Sequence, residues 1–272
     1  MKKVFLVMGI LLICVSLAYA GSEIKGAVIN KSDVKNAANV AMGQGATAQM
    51  GTVAIKDSKV QGAVINKSDV KNAANVAMGQ GATANMGTVD MKNSQVKGAI
   101  INQSKVENAA NVAMGKGATA QMGTVAMKDS KVQGAVINKS NVKNAANVAM
   151  GQGATANMGT VDMKGSQVKG AVINQSNVEN AANVAMGKGA TAQMGTVAMK
   201  GSKVQGAVIN KSNVKNAANV AMGQGATANM GTVDMKNSTV KGAVINQSNV
   251  ENAANVAMGK GATANTGSVV IK

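Results

Sequence analysis

The sequence predicts an all-β protein, namely a β-solenoid of seven 36-residue coils in a cross-β stack that follows a cleaved signal peptide. Three observations predict this fold class. One unit recurs at a fixed interval, small or apolar residues alternate with polar ones inside each unit, and charges change from one unit to the next. A fixed period of this size indicates a repeat architecture rather than an ordinary globular domain.

The composition narrows the range of functions. From Gly21 onward the chain has no aromatic residue, Leu, Cys, His, Arg or Pro, although the whole 272-residue chain contains 32 Gly and 20 Met. A core must therefore be built from Val, Ile, Met and Ala. Disulfides, His or Cys metal sites and His or Cys catalysis are excluded in this part. Acidic residues change identity between units, so we expect no enzyme, no cofactor and no metal.

Residues 1–20 have the three-part pattern of a secretory signal peptide. Met1–Lys3 is basic, Val4–Leu17 is apolar but shorter than a membrane-spanning helix, and a small-x-small site ends at Ala20. The alternative, a lipid-modified Cys14, is disfavoured by the bulky residue before it. We expect cleavage after Ala20 and a secreted or cell-surface protein, with no membrane span in the mature form.

Residues 21–272 consist of one unit repeated seven times without remainder. The units begin at Gly21, Asp57, Asn93, Asp129, Gly165, Gly201 and Asn237. We call the predicted turns coils 1 to 7 in this order, one per unit. The units are rich in Gly, Asn, Val and Thr. These residues are poor helix formers, which favours strands over helical repeats.

Alternation with period two predicts which side chains face the core. In the second unit it runs from Ser68 to Met78, passing through Asn72, and resumes at Ala82. The predicted core columns contain Val40, Met42, Met50, Val76, Met78, Met86, Val148 and Met150. On this assignment Val148→Asp would bury a carboxylate and cost several kcal/mol.

Stacked coils place equivalent residues about 4.8 Å apart. Asparagines can then share side-chain amide hydrogen bonds along the rod. The predicted Asn ladders start at Asn30, Asn36 and Asn39. Like charges would repel at this spacing, and one column accordingly alternates after coil 2. That column reads Lys35, Lys71, Glu107, Lys143, Glu179, Lys215 and Glu251.

One column keeps its charge in every unit and predicts a basic ladder. It contains Lys56, Lys92, Lys128, Lys164, Lys200, Lys236 and Lys272. Acidic residues at Asp57, Asp90 and equivalent positions relieve part of the repulsion. Residues 21–272 carry 26 Lys against 11 acidic residues, a formal net charge of +15.

The first and last units are ordinary units with a few edits, whereas most solenoids have polar capping units. Both ends would therefore offer unpaired strand edges. The charge pattern would also continue across an end-to-end junction, except that Lys241 would meet Lys25. The predicted assembly interface pairs Lys31 with Gln247, Lys35 with Glu251 and Gln44 with Lys260. This predicts a head-to-tail homopolymer, the subunit of an extracellular cross-β fibre.

The segment Asn39-Val-Ala-Met-Gly-Gln-Gly45, which recurs as Asn-Val-Ala-Met-Gly-x-Gly in all units, resembles the repeat core of secreted bacterial functional amyloids. The Fap type is closer than the curli type because its repeats are of similar length. The chain departs from these families at Ala46 and Thr47, which replace a typical Gln pair, and in having no long linkers. The resemblance implies an amyloid-like fibre in biofilm matrix, on the cell surface or in adhesion.

The sequence alone is also compatible with a second function. A monomeric Lys-rich rod could bind surface polyanions such as extracellular DNA, polysaccharide or lipopolysaccharide. Sequence-specific nucleic-acid binding is not expected, because there is no Arg and no aromatic residue after residue 20. The methionine columns could bind copper(I) through thioethers, but we interpret them as core.

Overall fold

A computed structural model describes residues 17–20 and 23–271. These residues form a stack of parallel strands, and the predicted β-solenoid with one coil per 36 residues is confirmed. The first sixteen residues of the expected signal peptide, and Lys272 of the basic ladder, lie outside the described residues. Among those that are described, there is no helix that could cross a membrane.

Each coil contributes to four sheets, which we number I to IV in coil order. Sheet I contains two-residue strands: β2 (Glu23–Ile24), β7 (Lys59–Val60), β11 (Gln95–Val96), β15 (Lys131–Val132), β20 (Gln167–Val168), β25 (Lys203–Val204) and β30 (Thr239–Val240). Sheet II contains the longest strands: β3 (Val28–Lys35), β4 (Ala38–Met42), β8 (Val64–Met78), β12 (Ile100–Met114), β16 (Val136–Lys143), β17 (Ala146–Met150), β21 (Val172–Glu179), β22 (Ala182–Met186), β26 (Val208–Lys215), β27 (Ala218–Met222), β31 (Val244–Glu251) and β32 (Ala254–Met258).

The remaining two sheets complete the coil. Sheet III contains β5 (Thr47–Met50), β9 (Thr83–Met86), β13 (Thr119–Met122), β18 (Thr155–Met158), β23 (Thr191–Met194), β28 (Thr227–Met230) and β33 (Thr263–Thr266). Sheet IV contains β1 (Leu17–Ala20), β6 (Val53–Lys56), β10 (Val89–Lys92), β14 (Val125–Lys128), β19 (Val161–Lys164), β24 (Val197–Lys200), β29 (Val233–Lys236) and β34 (Val269–Ile271). Strand β1 belongs to the expected signal peptide, yet it pairs with β6 in the register of the coils.

The register of the sheets follows the sequence period throughout. Each residue pairs with the residue 36 positions later, as Asn102 does with Asn138 and Val112 with Val148. Backbone hydrogen bonds outside the strands also join adjacent coils, for example from the Asn144 amide to the Glu179 carbonyl at 3.0 Å. Turns as well as strands are therefore stacked along the whole rod.

Corners are made by residues in the left-handed region of backbone space. Asn72 has a φ of 50° and Asp57 has the same value, and Asn and Asp tolerate this conformation better than other residues with a Cβ. At Gly79, with a φ of 139°, a Cβ would collide with the carbonyl oxygen of Gly43 in the coil before. Glycine is therefore required there by both conformation and close stacking.

The interior contains three clusters of packed side chains, each of which runs along the rod. The largest joins sheets I, II and IV through the columns of Val28, Val53, Ile55 and Val60. The second contains Val, Ala and Met columns, in which Met86 and Met122 are fully buried. The third contains only alanines and lies between sheets II and III. The small alanine side chains let these two sheets approach closely.

The predicted core assignment is correct for Met50 and Met86, which are fully buried, and wrong for six other residues. Val40, Met42, Val76, Met78, Val148 and Met150 face outward. The physical reason is the left-handed residue at Asn72 and its equivalents. It puts two successive residues, Lys71 and Asn72, on the outer side, so the alternation shifts by one and Ala73 faces the core.

Two adjacent substitutions in coil 4 test this shift. Ala149 is fully buried, whereas Val148 faces outward. We expect Ala149→Asp to destabilise the protein by several kcal/mol, because it buries an unpaired carboxylate. Val148→Asp should change the free energy of unfolding by less than about 1 kcal/mol. Urea unfolding of the monomer measures both, and equal losses would contradict the observed facing.

Candidate assembly surfaces

Buried asparagines join sheet II to sheet III. In coil 3, the Asn111 side-chain Nδ2 donates to the carbonyls of Ala84 at 2.9 Å and Gln121 at 3.0 Å. It also lies 2.9 Å from Oδ1 of Asn147, the next asparagine in the column. A buried amide is costly unless its hydrogen bonds are made. This column, which begins at Asn39, therefore stabilises only a stack in correct register.

A second buried column joins sheet II to the corner between sheets III and IV. Asn102 Nδ2 donates to the Gly87 carbonyl at 3.1 Å and to Asn138 Oδ1 at 2.9 Å. This is the ladder that begins at Asn30. The third ladder, which begins at Asn36, is exposed and follows the left-handed corner, with Asn108 donating to Asn72 at 3.1 Å. All three predicted Asn ladders are therefore present.

A re-entrant corner between sheets III and IV holds a pair of polar side chains that touch each other. Asn157 Nδ2 lies 3.2 Å from Asp162 Oδ2 across this corner, and both residues are buried. Equivalent pairs lie in coils 2 and 6, whereas coils 3 and 5 have Gln and Ala instead. The paired change of both positions was the sequence signal for this contact.

Burial has an electrostatic consequence at this corner. Loss of hydration raises the pKa of Asp90, and the hydrogen bond from Asn85 opposes this effect only in part. Asp162, two coils away, adds a further increase in the pKa of Asp90. The intervening Ala126 keeps carboxylates out of adjacent coils, where their repulsion would be greatest.

The six residues of the predicted assembly interface are all exposed, three at each end of the rod. They are Lys31, Lys35 and Gln44 in coil 1 and Gln247, Glu251 and Lys260 in coil 7. Within the rod, the same columns already form ion pairs between coils. Lys143 lies 3.1 Å from Glu179, and Lys215 lies 3.0 Å from Glu251. In coil 1, Lys35 instead pairs with Asp33 of its own strand at 3.0 Å.

The basic ladder lies on the outer side of sheet IV. Lys56 pairs in register with Lys92, and the column continues through Lys236. All of its described members are exposed. In coil 4 the repulsion is reduced by Asp162, whose carboxylate is 3.7 Å from the Lys164 ammonium.

Two grooves run along the rod. The lysine groove is formed by the columns that begin at Lys31, Ser32 and Asp33, and it has a volume of about 1190 Å³. The asparagine groove is formed by the columns that begin at Asn36, Ala37 and Ala38, with a volume of about 1210 Å³. Both include residues of all seven coils, so any ligand that fills them would be long and thin.

The hydrophobic core is partly exposed at coil 7. Val208 and Val214 in coil 6 are fully buried, whereas their equivalents Val244 and Val250 in coil 7 are only partly buried. In the described part of the chain, no further strand pairs with the outer edges of β30, β31 and β32. Apolar side chains and backbone groups are thus presented together at this end.

Comparison with known proteins gives no family for this chain. Neither a protein-family model, nor a curated protein, nor a solved structure matches it.

The Asp90 carboxyl yields a pH-dependent prediction. A carboxyl with a raised pKa in the folded state costs stability at neutral pH, and this cost disappears below its unfolded pKa of about 3.8. Asp90→Asn should therefore stabilise the protein at pH 7 and change it little at pH 3. Asp90→Ala, which copies the residue of coil 3, should also remove the part of the pH dependence of stability that comes from the Asp90 carboxyl. Urea unfolding at both pH values is the measurement, and an equal difference at both would contradict the prediction.

Proposed function

We propose that the protein is the structural subunit of an extracellular cross-β fibre for biofilm matrix, cell surface or adhesion. Molecules stack head to tail, with coil 7 of one copy against coil 1 of the next. The observation that carries this proposal is the open end at coil 7, where partly exposed Val244 and Val250 lie beside unpaired strand edges. Such an edge is a template for adding a strand of the same kind.

Strand β1 supports the same arrangement. It pairs with β6, and its Leu17 lies opposite Val53. Leu17 is seven whole units before Val269 in the sequence. In a head-to-tail polymer, β34 of the preceding molecule would therefore occupy the position that β1 holds. Cleavage after Ala20 would remove β1 and make this edge of coil 1 available.

The columns that begin at Lys31, Lys35 and Gln44 are also compatible at the junction, whereas Lys241 would meet Lys25 there. Glu251 of one molecule would lie beside Lys35 of the next, in the register in which Lys215 pairs with Glu251 inside the rod. By contrast, coils 1 and 2 of the same molecule place Lys35 beside Lys71. The junction between molecules thus has better charge pairing than this internal contact.

Lys35→Glu tests the junction without harming the rod. Inside the molecule, the new carboxylate would gain Lys71 as a neighbour, which offsets the loss of the exposed ion pair with Asp33 and the weak, solvent-screened repulsion from that carboxylate. At the junction, the same carboxylate would face Glu251 of the next copy. We expect elongation at low salt to slow several-fold, with unchanged or slightly higher monomer stability.

The matched control is Lys67→Glu, which makes the same charge change one coil away from the junction, gains Lys31 as a neighbour and meets no acidic residue in its own column. It should leave elongation close to that of the unmodified chain, and Glu251→Lys should restore elongation in the Lys35→Glu background. Growth of seeded fibres is followed by negative-stain microscopy and fibre diffraction. Equal elongation of Lys35→Glu and unmodified protein would contradict this junction. A processed chain that stays monomeric, without a reflection near 4.8 Å, would contradict the fibre itself.

The lysine groove favours a second candidate function, in which the rod binds a surface polyanion such as extracellular DNA, polysaccharide or lipopolysaccharide. Its wall includes lysines in coils 1, 2, 4 and 6, which are Lys31, Lys67, Lys139 and Lys211. An extended anionic chain could lie along this column and displace bound counterions.

Salt dependence tests this second function. Affinity for an anionic polysaccharide or DNA should fall steeply between about 50 and 200 mM salt. Replacing the four lysines of the column that begins at Lys31 with Gln should flatten that dependence. Replacing four members of the basic ladder, Lys92, Lys128, Lys164 and Lys200, with Gln is the control with the same charge change. A flat response in the unmodified chain, or equal effects of both sets, would contradict groove binding.

A further inference from the structure

The second half of sheet II has an entirely apolar outer surface, which we call the Ala-Val-Met face. It consists of the outward columns that begin at Ala38, Val40 and Met42. At the rod ends, Val40 is 56% and Met42 is 74% exposed, and Met258 is 49% exposed. In the inner coils the same residues are covered only in part. The shift of alternation at Asn36 and its equivalents therefore places valine and methionine columns in contact with solvent.

The size of this face is that of the largest apolar patch on a typical monomer, and such patches are often functional. Seven coils at about 4.8 Å and five residues at about 3.3 Å give an area near 30 by 16 Å, roughly 500 Å². A continuous apolar patch of this size on a soluble protein usually marks a contact surface. Two such faces would bury about 1,000 Å² in total, which is slightly less than a stable pair of proteins needs.

The side chains of the face also differ in size from one edge to the other, in an order that suits contact with a second copy. Side chains increase in size from the Ala38 column through Val40 to the Met42 column, and the asparagine groove lies beside the alanines. A twofold rotation about the rod direction reverses this order on the partner. Methionines of one copy would then lie over alanines and the groove of the other, while valines meet valines.

Charges at the two edges of the face change together. Where the column of Lys35 has Lys, the column of Gln44 has Gln, as in Lys71 and Gln80 of coil 2. Where the first column has Glu, the second has Lys, as in Glu107 and Lys116 of coil 3. All seven coils follow this rule. A whole strand separates the two columns within one coil, so their side chains cannot pair there.

We propose that two copies of this chain pair face to face through their Ala-Val-Met faces, with parallel rods related by a twofold axis along the rod. Glu107 of one copy then faces Lys116 of the other, and Lys71 faces Gln80. No coil places Lys against Lys. The proposal rests on the proposed function in one respect: end-to-end stacking multiplies the paired area, so fibres pair more strongly than single molecules.

The test uses two sets of glutamate substitutions in the same column. Lys116→Glu puts a carboxylate opposite Glu107 of the partner, whereas Gln80→Glu with Gln152→Glu puts carboxylates opposite lysines. Both sets change the net charge by the same amount, −2 per chain. Neither places like charges in adjacent coils of that column. The two sets therefore differ in the predicted contact across the pair.

We expect unmodified fibres to be two rods wide. Lys116→Glu should lower the fraction of paired fibres at least several-fold at low salt, and the double substitution should keep or raise it. Electron microscopy measures fibre width and length separately. Single-rod fibres of the unmodified chain, or equal effects of both sets, would overturn the pairing and leave the end-to-end junction intact. Side-by-side pairs without elongation would support the pairing and overturn the fibre.

Cysteine crosslinking tests the orientation. The chain after Ala20 has no Cys of its own, so Val76→Cys places one thiol at the centre of the face in coil 2. Parallel rods bring the two thiols opposite each other, and a short bismaleimide should link two copies. Ile65→Cys, outward in the same coil but off the face, is the control. Crosslinking through both positions, or through neither, would overturn the proposed arrangement; vesicle binding that depends on Val76 instead would assign the face to a membrane.

Discussion

Every residue in this rod must be compatible with the equivalent residue of the next coil about 4.8 Å away, because the coils stack in register with a period of 36 residues. This constraint explains which residue types occupy the interior. Asparagines donate to the next asparagine in the column, and valine, methionine and alanine pack on themselves. A buried asparagine such as Asn111 would be costly alone, but here its amide reaches two carbonyls and a neighbouring side chain.

The same constraint limits ionised groups. A column of one charge is tolerated on the exposed basic ladder, where water and salt screen it. In the partly buried corner near Asp90, carboxylates appear only in alternate coils, with Ala126 and Ala198 between them. Exposure therefore decides whether a charge can be repeated in every coil or must be separated from its copy.

The sequence was sufficient to predict the period, the coil size and the Asn ladders, because these depend only on which residues recur. The sequence did not predict which side chains face the core after the corner at Asn72. A single left-handed residue shifts the alternation by one without leaving a gap in the pattern. The contact between Asn85 and Asp90 could not be found from the alternation, since both side chains point away from the core into a re-entrant corner that only the backbone path creates.

The charge columns that begin at Lys31 and Lys35 each have one like-charge contact, between coils 1 and 2, where Lys31 meets Lys67 and Lys35 meets Lys71. Strict alternation is incompatible with an odd number of coils in an endless row, since one like-with-like contact per repeat is unavoidable by parity. Here that contact lies within a covalent chain, where Asp33 and Asp69 offset it. In these two columns the energetic frustration of an odd-numbered repeat is thereby kept in the part of the molecule that cannot dissociate, whereas the column that begins at Lys25 would have its like-charge contact at the junction, where Lys241 meets Lys25.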